Sequence, residues 1–167
     1  MNQSLIQTYN LETAHYFSCF ELTHLDTEYI DMTQALKPPF SLETAQLKVQ
    51  RAEDLWNSRD PQQVAKAYTE KSEWRNRNEF IQGTEAITQL LTRKWQRELD
   101  YRLKKELFIF QDNLIAVQFE YEYHDDSGQW FRAHGIEHWD FDNEGLMQTR
   151  KTSINESAIE QHQRRII

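Results

Sequence analysis

The sequence is short of the residues that staple or interrupt small folds. Its 167 residues include one cysteine, Cys19, three prolines and four glycines. A single thiol excludes a disulfide framework and a multi-cysteine zinc site. So little glycine and proline excludes low-complexity and collagen-like chains. No run approaches the roughly 18 apolar residues of a membrane span. A glycine-rich phosphate loop and a dinucleotide fingerprint are both missing, so no cofactor is expected. Positive charge is in deficit. Nineteen Lys and Arg stand against 27 Asp and Glu, a net charge of −8, which disfavours nucleic acid as a partner. At this length one domain is expected, burying on the order of 70% of its unfolded surface without a staple. Composition describes a soluble, acidic, cytoplasmic protein.

The acidity is uneven. Residues 1–31 contain Glu12, Glu21, Asp26, Glu28 and Asp31 and no Lys or Arg, so −5 lies there and −3 in residues 32–167. All the tryptophans, glycines and prolines follow Met32. The first 31 residues have no basic start and no continuous apolar core, so they are not a secretory signal. They are expected to be an accessory or mis-assigned extension. The domain is expected over 36–157, with 158–167 as a C-terminal tail. The case against nucleic acid therefore rests more on the fold and its cavity than on net charge.

Ser41 is a good helix N-cap, and Ala45, Val49, Ala52 and Trp56 recur on one helical face. Asp60-Pro61 starts a second, short helix with Val64, Ala65 and Tyr68 inward. Ser72–Asn76 and Glu79–Ile81 read as a small hairpin. Gly83-Thr84 leads into a third helix with Ile87, Leu90, Leu91 and Trp95 in a stripe. From Tyr101 the period becomes two, predicting strands at 101–110, 114–125, 129–141 and 146–155, separated by tight-turn sequences. Helices followed by an antiparallel run predict an α+β domain with one sheet face covered.

A three-residue loop at Asp126–Gly128 sets Glu122 opposite Arg132, Glu120 opposite His134, Tyr123 opposite Phe131 and Tyr121 opposite Ala133. Charges then share one face and aromatics the other. Centring the last loop on Asn143-Glu144 sets Glu137 opposite Arg150, Trp139 opposite Gln148 and Gly135 opposite Thr152. On the strand over 129–141 the inward face is Phe131, Ala133, Gly135, Glu137, Trp139 and Phe141. Glu137 is the one charge on it. A buried carboxylate needs a partner, and Arg150 is the natural one. Gly135 leaves a gap in the face. Apolar walls around a few convergent polar groups describe a small-molecule site.

Several stretches resemble the nuclear transport factor 2-like superfamily, in its SnoaL-like (polyketide-cyclase-like) branch. They are Trp56-Asn57-Ser58-Arg59-Asp60, Ala67-Tyr68-Thr69-Glu70 running into Trp74, Gly83-Thr84-Glu85-Ala86-Ile87 and the closing meander. Trp74-Arg75-Asn76-Arg77, Arg93-Lys94-Trp95, Glu98–Leu103, Tyr123–Arg132 and Ser153-Ile154-Asn155 resemble a bacterial and fungal group within it that has no assigned function. The resemblance covers about residues 36–157. It implies a cone, a curved sheet wrapped over three helices with a cavity open at one end, and a homodimer through the outer sheet face. It also sets Asn76 where the superfamily's ketosteroid isomerase has its base, Ala52 where that enzyme has its tyrosine, and Glu137 where it has its aspartic acid. An amide cannot abstract a proton, so that route of isomerisation is not expected.

The expected function is small-molecule binding in the cone. Cofactor-free acid/base catalysis of isomerase, cyclase or dehydratase type would use Glu137. Trp74, Asn76, Phe119, Tyr121, Trp139 and Arg150 are the candidate ligand contacts. The alternative is a non-catalytic dimeric module. Trp74 and Asn76 share a strand face, with Arg75 and Arg77 expected outside; if the strand is turned over, the two arginines line the pocket instead. Arg93, Lys94, Arg97, Arg102, Lys104 and Lys105 are expected on a solvated face, with an anion-binding rim as the alternative. His134 and His138 lie about 13 Å apart along a strand, too far for one metal, and no metal site is expected. With Trp130 and Ile136 they mark the expected dimer face. Ser153 has no His–Asp partners for a triad.

Overall fold

The computed structural model describes residues 36–166. The extension expected over 1–31 lies outside the described residues. The elements run α1 (Leu42–Asn57), α2 (Pro61–Ala65), β1 (Tyr68–Asn76), β2 (Glu79–Gln82), α3 (Thr84–Arg97), β3 (Leu99–Gln111), β4 (Leu114–His124), β5 (Trp130–Phe141) and β6 (Met147–Ile159). A short 3-10 turn follows at Gln161–Gln163. The strands form one sheet ordered β2-β1-β6-β5-β4-β3. β1 and β6 pair in parallel and the other neighbours are antiparallel. This is the expected α+β architecture.

Local chemistry sets the helix starts. Ser41 and Thr44 form a reciprocal capping box at α1, each backbone N–H donating to the other's hydroxyl. The Asp60 carboxylate accepts from Gln62 N and Gln63 N at 3.0 and 3.1 Å, with Pro61 at the first helical position. Ile87, Leu90 and Leu91 turn α3 inward. Tyr68 opens β1 instead of closing α2. On α1 the third of the four buried positions belongs to Glu53, while Ala52 is only half-buried.

Glu53 is buried because it has backbone work to do. Its Oε2 accepts from Lys105 N at 2.6 Å. One turn on, Asn57 accepts from Leu103 N at 2.9 Å and donates to Leu103 O at 3.0 Å. β3 is an edge strand, so these groups have no strand partner on that side. Two α1 side chains take the partner's place and cover the edge.

The β4–β5 pairing has the expected register: Glu122 with Arg132, Glu120 with His134, Tyr123 with Phe131, and Tyr121 with Ala133. The β5–β6 pairing is displaced by two residues from the expected one. Glu137 faces Thr152, Trp139 faces Arg150 and Gly135 faces Ile154. The cause is the loop. Asp142 Oδ1 accepts from Glu144 N and Leu146 N, and Gly145 takes φ 80°. That closes a longer turn, from Asp142 N to Leu146 O, than the two-residue turn expected. A shift of two preserves which face each side chain occupies.

The residues after Ser157 are structured where a tail was expected. β6 runs to Ile159, and the chain then folds onto the outer sheet face. Glu122, fully buried, accepts from Arg132 Nε at 2.9 Å, Arg165 N at 3.1 Å and Ile166 N at 3.2 Å. Arg164 lies 3.9 Å over the Trp130 ring. Trp130, expected on the dimer face, is therefore only 7% exposed, covered by Arg164 of the same chain. Glu122→Gln should lower the unfolding free energy by about 3 kcal/mol, read by urea denaturation. It leaves Arg132 and two backbone N–H groups short of a charged acceptor. An unchanged midpoint would mean the segment is held by packing alone.

Candidate functional site

A cavity of about 270 Å³ opens between α3, the end of β1 and the inner faces of β3, β4 and β6. Its base is an ion triad. Glu137 Oε1 accepts from Arg150 Nη2 at 2.6 Å, and Oε2 accepts from Lys105 Nζ at 3.0 Å. Trp139 Nε1 donates to the same Oε2 at 2.6 Å. All three charged side chains are at most 3% exposed. Arg150 Cζ lies 4.7 Å from the Trp56 ring and 4.6 Å from the Trp74 ring. Lys105 Nζ lies 5.1–5.5 Å from the rings of Trp56, Phe119 and Trp139. Aromatic faces thus take over part of the solvation that burial removes. Arg150 Nε and Nη1 have no hydrogen-bond partner among the described residues.

The electrostatics follow from this geometry. Burial pushes the Glu137 carboxyl up, but Arg150 and Lys105 outweigh it and lower it to about 2. Burial pushes the Lys105 amine down, against the pull of Glu137. A carboxylate with donors on both oxygens and so low a pKa is a poor proton acceptor. Both oxygens of Glu137, the group expected to do acid/base work, are engaged by Arg150, Lys105 and Trp139.

The mouth is different. Lys94 and Glu98, one turn apart at the end of α3, form an ion pair with side chains 13% and 17% exposed. Burial pushes Glu98 up against the pull of Lys94, and burial pushes Lys94 down against the pull of Glu98. The two affinities for a proton approach each other. Arg77 pairs with Glu156 at 3.2 Å and Arg93 with Glu79 at 3.7 Å on the rim. The β4 wall is a row of rings. Phe119, Tyr121, Tyr123 and, across on β5, Phe131 stack at successive centroid distances of 6.1, 5.9 and 5.2 Å. Burial raises the Tyr101 and Tyr121 hydroxyls, so both remain protonated donors.

Glu137, Arg150, Asn76, Phe119 and Tyr121 are brought together on the cavity lining. Trp74 and Trp139 are not on it. Trp74 is buried behind Arg150. Trp139 reaches Glu137 from below and faces a second cavity of about 100 Å³, which Ala52 also lines. Alternation gives a side chain's face but not its depth. Arg75 is outward, donating to Ser153 Oγ at 3.2 Å. Arg77, expected outside, reaches the rim because its φ of 58° ends the strand alternation. The basic cluster divides: Arg93, Lys94, Arg97 and Lys105 line the cavity, while Arg102 and Lys104 face out. Lys105 was within reach of sequence reasoning, since it shares strand parity with the apolar Tyr101 and Leu103. Gly135 leaves no vacant space inside. A Cβ there would stand 2.5 Å from Phe119 Cζ, whose ring covers the position. His134 and His138 are exposed. No group of three or more His, Cys, Asp or Glu among the described residues could hold a metal ion. No described helix is long and apolar enough to cross a membrane.

A six-stranded sheet over three helices, with a polar-based cavity inside, is a nuclear transport factor 2-like fold. The chain belongs to the family described as a protein of unknown function, DUF1348, whose model matches residues 38–167. No curated protein matches the chain. Solved structures show the fold at low identity. SalBIII, an epoxide hydrolase/cyclase-like enzyme of pyran ring formation in the polyether salinomycin, is 12% identical over 70% of this chain and 97% of its own, at a TM-score of 0.63. An NTF2-like protein of unknown function from Exiguobacterium is 12% identical over 65% of this chain and 98% of its own, at 0.58. A protein with a ketosteroid isomerase-like fold from Catenulispora acidiphila, in complex with trimethylamine, is 10% identical over 64% of this chain and 83% of its own, at 0.57.

Proposed function

We propose that the chain binds a small organic molecule in its cone and moves a proton on it, as isomerases and cyclases do. The observation that carries this reading is the division of labour along the cavity. The base holds two buried cations fixed by one carboxylate. The mouth holds a lysine–glutamate pair whose proton affinities converge. Arg150 and Lys105 suit a carbonyl oxygen that gains negative charge in the transition state. Glu98 suits removal of a proton from the neighbouring carbon, and Lys94 its return. Delivered to another carbon, the proton completes an isomerisation; attack by the enolate carbon on a second carbonyl of the same molecule instead closes a ring, the C=O π pair becoming an alkoxide that takes up the proton removed at the start. The fold shared with a cyclase-like enzyme supports that class of reaction. The test is a thermal-shift screen of carbonyl metabolites against the full chain, since a ligand of the folded state raises its melting temperature. Hits are then followed for C–H to C–D exchange in heavy water. Ligands that bind without exchanging would reduce the reading to a binding protein.

A second reading, a homodimeric interaction module, rests on the outer sheet face. Ile136 is 49% exposed in the middle of β5, between the exposed His134 and His138. These three residues remain the proposed contact, without Trp130. Sedimentation should give a dimer, and Ile136→Asp a monomer. A monomeric wild type would remove this reading.

A further inference from the structure

The charges on the cavity do not balance. Two cations, Arg150 and Lys105, meet one lining carboxylate, Glu137, at the base, while the buried Glu53 offsets part of that charge from behind Lys105, outside the lining. The rim supplies nothing to cancel it, because its acids are already engaged: Glu98 with Lys94, Glu156 with Arg77 and Glu79 with Arg93. Arg97 adds a further cation to the lining. This electropositive interior sits in a chain of net charge −8. Low-dielectric walls concentrate such a field within the cavity.

The surplus also has free donors. Arg150 is 2% exposed, and its Nε and Nη1 have no hydrogen-bond partner among the described residues. Leaving charged donors unmade inside a protein is costly. A guanidinium with free N–H groups suits a planar oxyanion. The walls near it are faces of rings: Trp56, Tyr101, Phe119, Tyr121 and Tyr123 all line the cavity. Flat surfaces of this kind favour a flat occupant. The volume of about 270 Å³ lies at the lower edge of ligand pockets.

We infer that the ligand is a small planar conjugated monoanion that carries its charge on oxygen, as a carboxylate or an enolate, and docks that oxygen against Arg150 and Lys105. This rests on the small-molecule reading and narrows it to one chemical class. Within the proposed reaction, the same two cations hold the enolate form of a bound carbonyl compound.

Four probes test the assignment on the full chain: benzoate, the enolate of 1,3-cyclohexanedione, neutral benzamide and cationic benzylammonium. Binding is read by calorimetry and by the indole N–H resonance of Trp56, which reports on the base. At least one of the two anions should bind tenfold or more tightly than benzamide and move the Trp56 signal. Which anion prevails separates the carboxylate from the enolate source. Arg150→Met should lose that affinity at least tenfold. If that variant does not fold, Lys105→Met takes its place, with a comparable loss for the anion and little change for benzamide. Preference for benzamide or benzylammonium overturns the anion assignment and leaves the cavity as a small-molecule site. Silence from all four overturns this ligand class, and the metabolite screen then decides the broader reading by itself.

Discussion

Glu137→Gln should lower the unfolding free energy by about 5 kcal/mol, the upper end of the range for an uncompensated buried charge. Lys105→Met should change it by less than about 1 kcal/mol. The two variants break the same 3.0 Å ion pair, so a pairwise view would expect similar losses. The triad decides otherwise. Without Glu137, two buried cations face each other with no anion between them. Without Lys105, Glu137 keeps Arg150 at 2.6 Å and the Trp139 N–H, and Glu53 keeps its hydrogen bond from the backbone N–H at position 105. Burial already pushes the Lys105 amine below its ordinary range despite the carboxylate beside it, so the loss of its charge removes a burden. Equal destabilisation in the two variants, by guanidinium denaturation, would refute this account.

The triad also sets a pH dependence. In the folded chain the Glu137 carboxyl ionises at about 2, against 4.5 for an ordinary glutamate. The unfolded chain therefore takes up the proton first as the pH falls. The stabilisation, on the order of 3 kcal/mol, is full above the unfolded value and is lost as the pH falls through the folded one. Denaturation midpoints at about pH 6 and about pH 3 should differ in the wild type, and this component should vanish in Glu137→Gln.

The second large effect falls on chemistry. Once a ligand that exchanges its C–H proton is in hand, Glu98→Gln should slow that exchange by about 10²–10⁴. The fold should survive, since the carboxylate lies at the mouth and its partner amine is itself pushed toward the neutral form. The rate should rise with pH through a carboxyl pKa above 4.5, the direction in which burial moves Glu98. Unchanged exchange in Glu98→Gln would take Glu98 out of the mechanism, and a flat acid limb would do the same.

Much of the sheet was legible because its register is written in complementary pairs. Glu122 with Arg132 and Tyr123 with Phe131 admit one alignment that keeps charge and aromatics on separate faces. The final hairpin has no such pair near its turn. Its register depends on how Asp142 folds its side chain over the loop, which is backbone chemistry that side-chain alternation does not report. For the site, parity identified Glu137 and Arg150 as neighbours even with the register displaced by two, because both remain on the inner face. Parity does not separate a lining residue from one behind the lining, which is why Trp74 and Trp139 share the inner face with the walls without lining the cavity. Lys105 is adjacent to Lys104 in sequence, but its strand parity with Tyr101 and Leu103 puts it on the opposite face. Lys94 and Glu98 gave a weaker signal. Their burial depends on β4 rings closing over the end of α3, with Lys94 Nζ 4.3 Å from the Tyr121 ring.

Gly135 gives the cone a rule about how its interior can change. The missing side chain lets the Phe119 ring lie across β5, and β6 closes in so far that a Cβ would meet Ser153 O at 2.1 Å. Backbone cannot yield there without parting the two strands. The ring belongs to a side chain, and side chains can be exchanged. Between two residues in contact, then, one is shut to substitution and the other is open. A descendant of this chain that needed room for a bulkier molecule would find it by trimming Phe119, at the foot of the cavity, giving up one of the three rings that face Lys105.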